Sequence, residues 1–165
     1  MEYTHVVHTF EPVYNAKSQI LILGSFPSVK SRENQFYYGH PQNRFWKVTA
    51  AVCGDPEPVT IEEKKEFLLK NNLAVWDVIA SCDIAGSSDS SIRNVKANDM
   101  DAVLKAAEIR LICANGDKAY RLYLKYCKKE GQPKLCKLPS TSPANAAWSV
   151  ERLTQAWKER LRGEL

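Results

Sequence analysis

The run Ile20-Leu21-Ile22-Leu23, cut off at once by Gly24-Ser25-Phe26-Pro27-Ser28, constrains this chain more than any other stretch. Four aliphatic residues between polar flanks are too few for a helix and too uniformly apolar for a strand with one wet face. They predict a strand over about residues 19–23 that is buried on both sides, as in a parallel sheet covered by helices. Gly and Pro end the strand and shape a tight loop. In a parallel sheet such a loop lies at the carboxyl end of the strand, where ligands bind.

The remaining punctuation repeats that unit. A long loop over residues 25–42 leads to a helix over 43–53, and Gly54-Asp55-Pro56-Glu57-Pro58 breaks it. Thr60 with Glu63 forms a capping box for a helix reaching about Asn71. Residues 73–76 read as a second strand, 77–91 as a polar Ser- and Gly-rich loop, and 99–107 as a helix with Met100, Val103, Leu104 and Ala107 on one face. A third strand over 110–114 ends in Asn115-Gly116. A helix over 117–129 then places Ala119, Leu122, Tyr123 and Tyr126 together, and a fourth strand covers 134–138. The last helix, 150–162, buries Val150, Leu153, Trp157 and Leu161. Residues 1–18 read as an arm carrying surface histidines, His5 and His8. Strands alternating with helices four times predict a parallel sheet with helices on both faces. The loops at 24–42, 77–91, 115–116 and 139–145 then gather at one crest, and every unusual polar stretch falls there.

A chain of 165 residues with 44% hydrophobic and 25% charged residues fits one domain over residues 1–165. The net charge of +4 permits a polyanionic partner without requiring one. With no long apolar run and no signal peptide, the chain is expected to be soluble, cytoplasmic and off the membrane. Five dispersed cysteines, with no CxxC pair, point to reduced thiols and no metal. No GxGxxG, GxxxxGK[ST] or GxSxG occurs. Ser25 and His40 share a loop, but nothing else marks them as a nucleophile and its base.

The segments GSFPS (24–28), GHPQNRFW (39–46) and STSPANA (140–146) resemble the active-site motifs of the uracil-DNA glycosylase superfamily. NRFWKV (43–48) is similar to the mismatch-specific uracil/thymine branch. GSFPS together with FYYGHPQNRFW resembles the hypoxanthine-DNA (deoxyinosine) glycosylase family more closely. The resemblance implies a three-layer α/β/α fold whose four-stranded parallel sheet has the order 2-1-3-4. It implies base excision repair of damaged DNA, double- or single-stranded. The enzyme expected is monomeric, metal-free, cofactor-free and monofunctional, flipping a deaminated base from DNA and hydrolysing its N-glycosidic bond. The base expected first is hypoxanthine. The alternatives are a uracil/thymine mismatch glycosylase and a non-catalytic nucleic-acid-binding domain. A prokaryotic host would add association with the nucleoid.

The resemblance also assigns roles. Where the superfamily's first motif has an Asp or Asn that handles water, this chain has Phe26; the role passes to Asn43, whose other reading is a helix cap. Tyr38 aligns with an aromatic that stacks on the base, and its alternative is core packing. Phe26 forms another wall, with the Ser25 or Phe26 N–H facing the base carbonyl. Asp77 ends the second strand, where it accepts the N1–H of hypoxanthine, steadies the sugar cation, or simply starts a loop. Asn115 reaches the base or forms an Asn-Gly turn. Ser28, Ser140, Thr141, Ser142 and Asn145 are expected at the DNA backbone, with Lys30, Arg32 and Arg44 as phosphate contacts or plain surface charges. The small residues Asn145 and Ala146 stand where relatives carry a wedge. No lysine holds a motif position suited to a Schiff base, so no lyase step is expected.

Overall fold

The structure is a computed structural model that describes residues 2–86, 89–162 and 164. Its centre is the expected strand, β2 (Ile20–Gly24), with Ile20 to Leu23 wholly inaccessible. Burying each such side chain contributes about 1.5–3 kcal/mol, so this strand anchors the sheet. It pairs in parallel with β3 (Leu73–Asp77) on one side and β6 (Leu111–Asn115) on the other, and β6 pairs with β7 (Lys134–Leu138). The sheet order β3-β2-β6-β7 is the 2-1-3-4 order the resemblance implies. Register brings polar residues to one edge of this sheet: Gly24 lies opposite Asp77, and Asn115 opposite Leu138, at the carboxyl ends of their strands. Cys113 and Cys136 are also register partners, with their sulfurs 3.9 Å apart.

Helices cover this sheet. In α3 (Ile61–Lys70) both halves of the capping box form, the Glu63 N–H donating to Thr60 Oγ1 and the Thr60 N–H to Glu63 Oε1. In α6 (Val150–Leu161), Leu153, Trp157 and Leu161 face inward. Trp157 packs edge-on against Phe45 of α2 (Phe45–Cys53) and donates its indole N–H to the Pro139 carbonyl at 2.9 Å. This single side chain joins two helices to the loop leaving β7. In α5 (Asp117–Tyr126), Ala119 and Tyr123 are buried, whereas Tyr126 is exposed and Cys127, one residue on, is buried in its place. The helix expected over 99–107 is regular only over Asp101–Leu104 (α4), although Met100 and Val103 are in the core.

Two regions differ from the sequence-based expectation. The stretch over 77–91 is not simply a loop. It contains β4 (Ile79–Ile84), which pairs antiparallel with β1 (Thr4–Val7) and with β5 (Arg93–Ala97) in a second, three-stranded sheet. The pairing of β4 with β5 shifts register twice, which breaks the two-residue alternation that would have marked the strand. Ser87 and Ser88, in the same stretch, lie outside the described residues. The arm is correspondingly no free arm: β1 docks on β4, and Val13 bridges to Val75. His5 is exposed as expected, but the side chain of His8 is only 3% exposed. Within the long loop after β2, Ser28 caps a short helix, α1 (Val29–Asn34), closed by Gln35 at φ 55°.

Candidate active site

A cavity of about 570 Å³ opens at the carboxyl ends of β2, β3 and β6. That lies within the range of small-molecule sites, about 300–1,000 Å³. Residues 24–28, Tyr38, His40, Asn43, Asp77, Asn115 and residues 140–145 all line it. The three motif segments and both strand-end polar residues therefore meet in one place.

At its floor is Asp77, 3% exposed. Its Oδ2 accepts a hydrogen bond from His8 Nε2 at 2.9 Å. The imidazole is held by packing: Phe10, Tyr37 and Phe26 surround it at centroid distances of 4.4, 5.8 and 6.3 Å. Its backbone N–H donates to the Ala80 carbonyl at 2.7 Å, so the second sheet delivers this residue to the site. Sequence reasoning missed His8 because the only available signal was a strand pattern broken by bulges.

Gly24 explains how Asp77 fits. A Cβ on Gly24 would sit 2.5 Å from Asp77 Oδ1, closer than real contacts allow. Gly24→Ala is expected to cost about 1–3 kcal/mol, as overpacking a rigid site does, because His8 prevents the carboxylate from yielding. Denaturant unfolding would read this, and an unchanged midpoint would show that Asp77 is free to move.

Across the cavity, the amides of Asn43 and Asn115 are tied through Thr141. The Phe45 N–H donates to Asn43 Oδ1 at 2.9 Å, and the Thr141 N–H to Asn115 Oδ1 at 3.1 Å. A backbone N–H can only donate, so these two contacts orient both amides. Asn115 Nδ2 then donates to Thr141 Oγ1 at 3.0 Å, and the Thr141 hydroxyl donates to Asn43 Oδ1 at 2.9 Å. Asn43 is thus a cavity residue whose Oδ1 also accepts the first N–H of α2, while the N-cap position itself is Arg44, with no side-chain cap bond. Thr141, expected at the DNA backbone, is wholly buried and spends its hydroxyl and N–H inside the protein.

The neighbouring loop is braced from within. Arg44 donates to the carbonyls of Thr141 (3.4 Å), Ser142 (2.8 Å), Asn145 (3.1 Å) and Trp148. This corrects the expectation of a phosphate-contacting or idle surface arginine: four carbonyls converging on one guanidinium make it a latch. Ser140 Oγ accepts from the Ser142 N–H, Ser142 Oγ from the Ala144 N–H, and Asn145 Nδ2 donates to the Ser140 carbonyl. Ser28 Oγ accepts from the Ser31 N–H as the α1 cap.

Aromatic groups form the walls. Phe26 is 9% exposed, with the Arg32 guanidinium 5.7 Å from its ring centroid. Tyr38 stacks on Phe45 at 3.9 Å with 13° between planes. Burial first, and then the charge of Asp77, push the hydroxyls of Tyr37 and Tyr38 well above the ordinary phenol range, so both keep their protons. The Tyr37 hydroxyl donates to the Glu11 carbonyl at 2.8 Å. Ser25 and His40 line the same cavity, but His40 Nδ1 is taken by the Gln42 N–H at 3.1 Å. One lysine, Lys118, lines the cavity from α5. Among the described residues, no group of three or more His, Cys, Asp or Glu could hold a metal ion. Among them, too, no helix is long and apolar enough to cross a membrane.

The family model for the uracil DNA glycosylase superfamily matches residues 11–162. A hypoxanthine DNA glycosylase of Methanosarcina acetivorans is 36% identical over 147 residues, covering 87% of this chain and 90% of the relative. One of Methanosarcina barkeri is 34% identical over 113 residues, covering 67% and 71%. A solution NMR structure from Methanosarcina acetivorans, described as a candidate uracil DNA glycosylase, superposes with a TM-score of 0.75 at 34% identity. The match covers 93% of this chain and 94% of that one.

Proposed function

Since the chain belongs to the uracil DNA glycosylase superfamily, we propose that it is a monofunctional DNA glycosylase whose preferred base is hypoxanthine. It hydrolyses the bond between a flipped, deaminated base and deoxyribose. The observation that carries this reading is the buried carboxylate of Asp77 at the cavity floor. Deamination of adenine converts ring N1 from a lone-pair acceptor into an N–H donor. A carboxylate accepts that N–H and repels the lone pair of adenine, so it senses deamination itself. The names of the Methanosarcina relatives support the same base. The N3–H of uracil would satisfy the carboxylate equally, which keeps uracil as the second candidate.

The geometry supports the following roles. Ser25, Phe26, Tyr38 and Asn115 surround the base, Asn115 mainly by holding Thr141 in place. Ser28, Ser140, Ser142 and Asn145 rim the cavity and meet the DNA backbone, with Thr141 as the internal brace and Arg44 as the latch. The C–N bond breaks toward an oxocarbenium-like sugar. Such a cation needs a placed water rather than a strong base, and Asn43 supplies the placing. Water adds to the anomeric carbon and loses a proton to solvent, the departing base anion takes a proton up from solvent, and the free base and an abasic site remain. The chain acts as a single domain over residues 1–165, as a monomer, in the compartment that holds the DNA (the cytoplasm of a prokaryote).

Base release from duplexes carrying one hypoxanthine, uracil, xanthine or ethenoadenine tests this. Hypoxanthine is expected to leave fastest, with the abasic strand intact and no borohydride-trapped adduct. Faster release of uracil would transfer the assignment to that base. DNA binding without any release would end the enzymatic reading, and a trapped adduct would implicate Lys118 in a lyase step.

A further inference from the structure

We propose that the hydroxyl of Tyr38 is a specificity-determining donor that, with Asp77 Oδ1 as acceptor, reads the lactam edge of the base (ring N–H beside C=O). The inference rests on the glycosylase reading and assigns Tyr38 its edge rather than its face.

Several observations converge on this residue. Its hydroxyl is buried and its proton has no acceptor, while the Asn115 amide faces its oxygen. Buried donors without partners are rare in folded proteins and ask for a reason. Tyr37 beside it is no substitute, because its hydroxyl is spent on Glu11. The backbone of Tyr38 is left-handed, at φ 52°. A bulky aromatic seldom adopts that conformation, and such strain persists where a site requires a particular orientation. Phe45 covers one face of the ring at 3.9 Å, which fixes the plane and removes that face as a platform for a base. Burial also keeps the phenol protonated, so it is a donor.

The partner acceptor stands beside it. The point that a Gly24 Cβ would occupy is 2.5 Å from Asp77 Oδ1 and 3.2 Å from the Tyr38 hydroxyl. One charged acceptor and one unpartnered donor therefore flank the same small space at the end of β2. Asp77 Oδ2 is held by His8, which leaves Oδ1 as the oxygen free to read a base. An acceptor next to a donor is the complement of N1–H next to C6=O in hypoxanthine, and of N3–H next to C4=O in uracil. Adenine presents the reverse pattern, a lone pair at N1 and an amino donor at C6, and mismatches at both positions. A site built to bond a substrate group discriminates strongly against an analogue that lacks it, because its own polar groups are then stranded.

Tyr38→Phe removes the hydroxyl and keeps the ring, its stacking and the backbone. Single-turnover release should be compared for hypoxanthine and 6-thiohypoxanthine, whose sulfur is a poor acceptor, with wild type and Tyr38→Phe. Wild type is expected to release hypoxanthine roughly 10- to 100-fold faster than the thio analogue, the range that one buried hydrogen bond supports. Tyr38→Phe is expected to lose a similar factor on hypoxanthine and to treat the two bases alike. Equal losses on both bases would mean that Tyr38 only packs, and would overturn the proposal, as would an undiminished rate. Should the variant fail to fold in a thermal melt, the wild-type comparison decides alone: no preference for oxygen over sulfur overturns the donor role. Failure of wild type to release hypoxanthine at all would instead bring down the glycosylase reading beneath it.

Discussion

Asn43→Ala is expected to bind duplex DNA about as well as wild type and to release base at least about 10²-fold more slowly in a single turnover. The size follows from losing the alignment of a reacting water, for which small misplacements already cost about 10²-fold. Asn43 Oδ1 already accepts from the Phe45 N–H and the Thr141 hydroxyl, so both of its lone pairs are engaged. A water donating to that oxygen needs the Thr141 hydroxyl proton to turn aside, which a hydroxyl rotor can do without moving the backbone. Alanine also removes the acceptor of the Phe45 N–H at the start of α2, at about 1 kcal/mol of stability. Asn43→Asp separates the two effects, because it keeps acceptor oxygens for Phe45 and Thr141 and adds one for water. Retained activity in Asn43→Asp with loss in Asn43→Ala assigns the residue to water. Equal, near-wild-type rates in both would reduce Asn43 to an acceptor for the Phe45 N–H. An inactive but folded Asn43→Asp would move the chemistry to the amide protons, which have no partner among the described residues.

What was legible in the sequence, and what was not, has a physical pattern. The parallel sheet was legible because β2 and β3 are apolar up to their last residue and Thr60 with Glu63 marks a helix start by chemistry rather than statistics. The crest was legible because Gly24, Asp77 and Asn115 end neighbouring strands of the parallel sheet, and strand ends in such a sheet converge. The second sheet was hidden. The bulges of β4 scramble its alternation, and β1 has no buried residue to mark it. With that sheet went His8, a residue that no local pattern ties to Asp77, 69 positions away. Arg44 and Thr141 were misread for a related reason. Both belong to polar stretches that look like surface, and only the fold, by bringing residues 97 and 98 positions apart into contact, turns one into a latch and the other into a buried hub.

Asp77→Asn is the substitution expected to change what the site accepts. His8 is packed on three sides by aromatic rings and directs Nε2 at Asp77. With asparagine at this position, the imidazole N–H takes the amide carbonyl as its acceptor. The NH₂ group then stands where Oδ1 stood, and the acceptor that met the base N–H has become a donor. Two N–H groups facing each other strand both, so release of hypoxanthine should fall by about 10² or more. Adenine, with its N1 lone pair, now meets a donor instead of a negative charge. The preference for hypoxanthine over adenine should therefore narrow even though neither base leaves quickly. Competition between the two bases in otherwise identical duplexes measures that ratio directly, and it is insensitive to a general loss of folded enzyme. A ratio unchanged from wild type, whatever the absolute rate, would show that Asp77 does not read the base. His8→Phe supplies the complementary measurement. It leaves the carboxylate with no N–H on Oδ2 and therefore free to rotate, so it should lower hypoxanthine release while Asp77 is still present. If His8→Phe instead matched wild type, the imidazole would have no part in positioning that carboxylate.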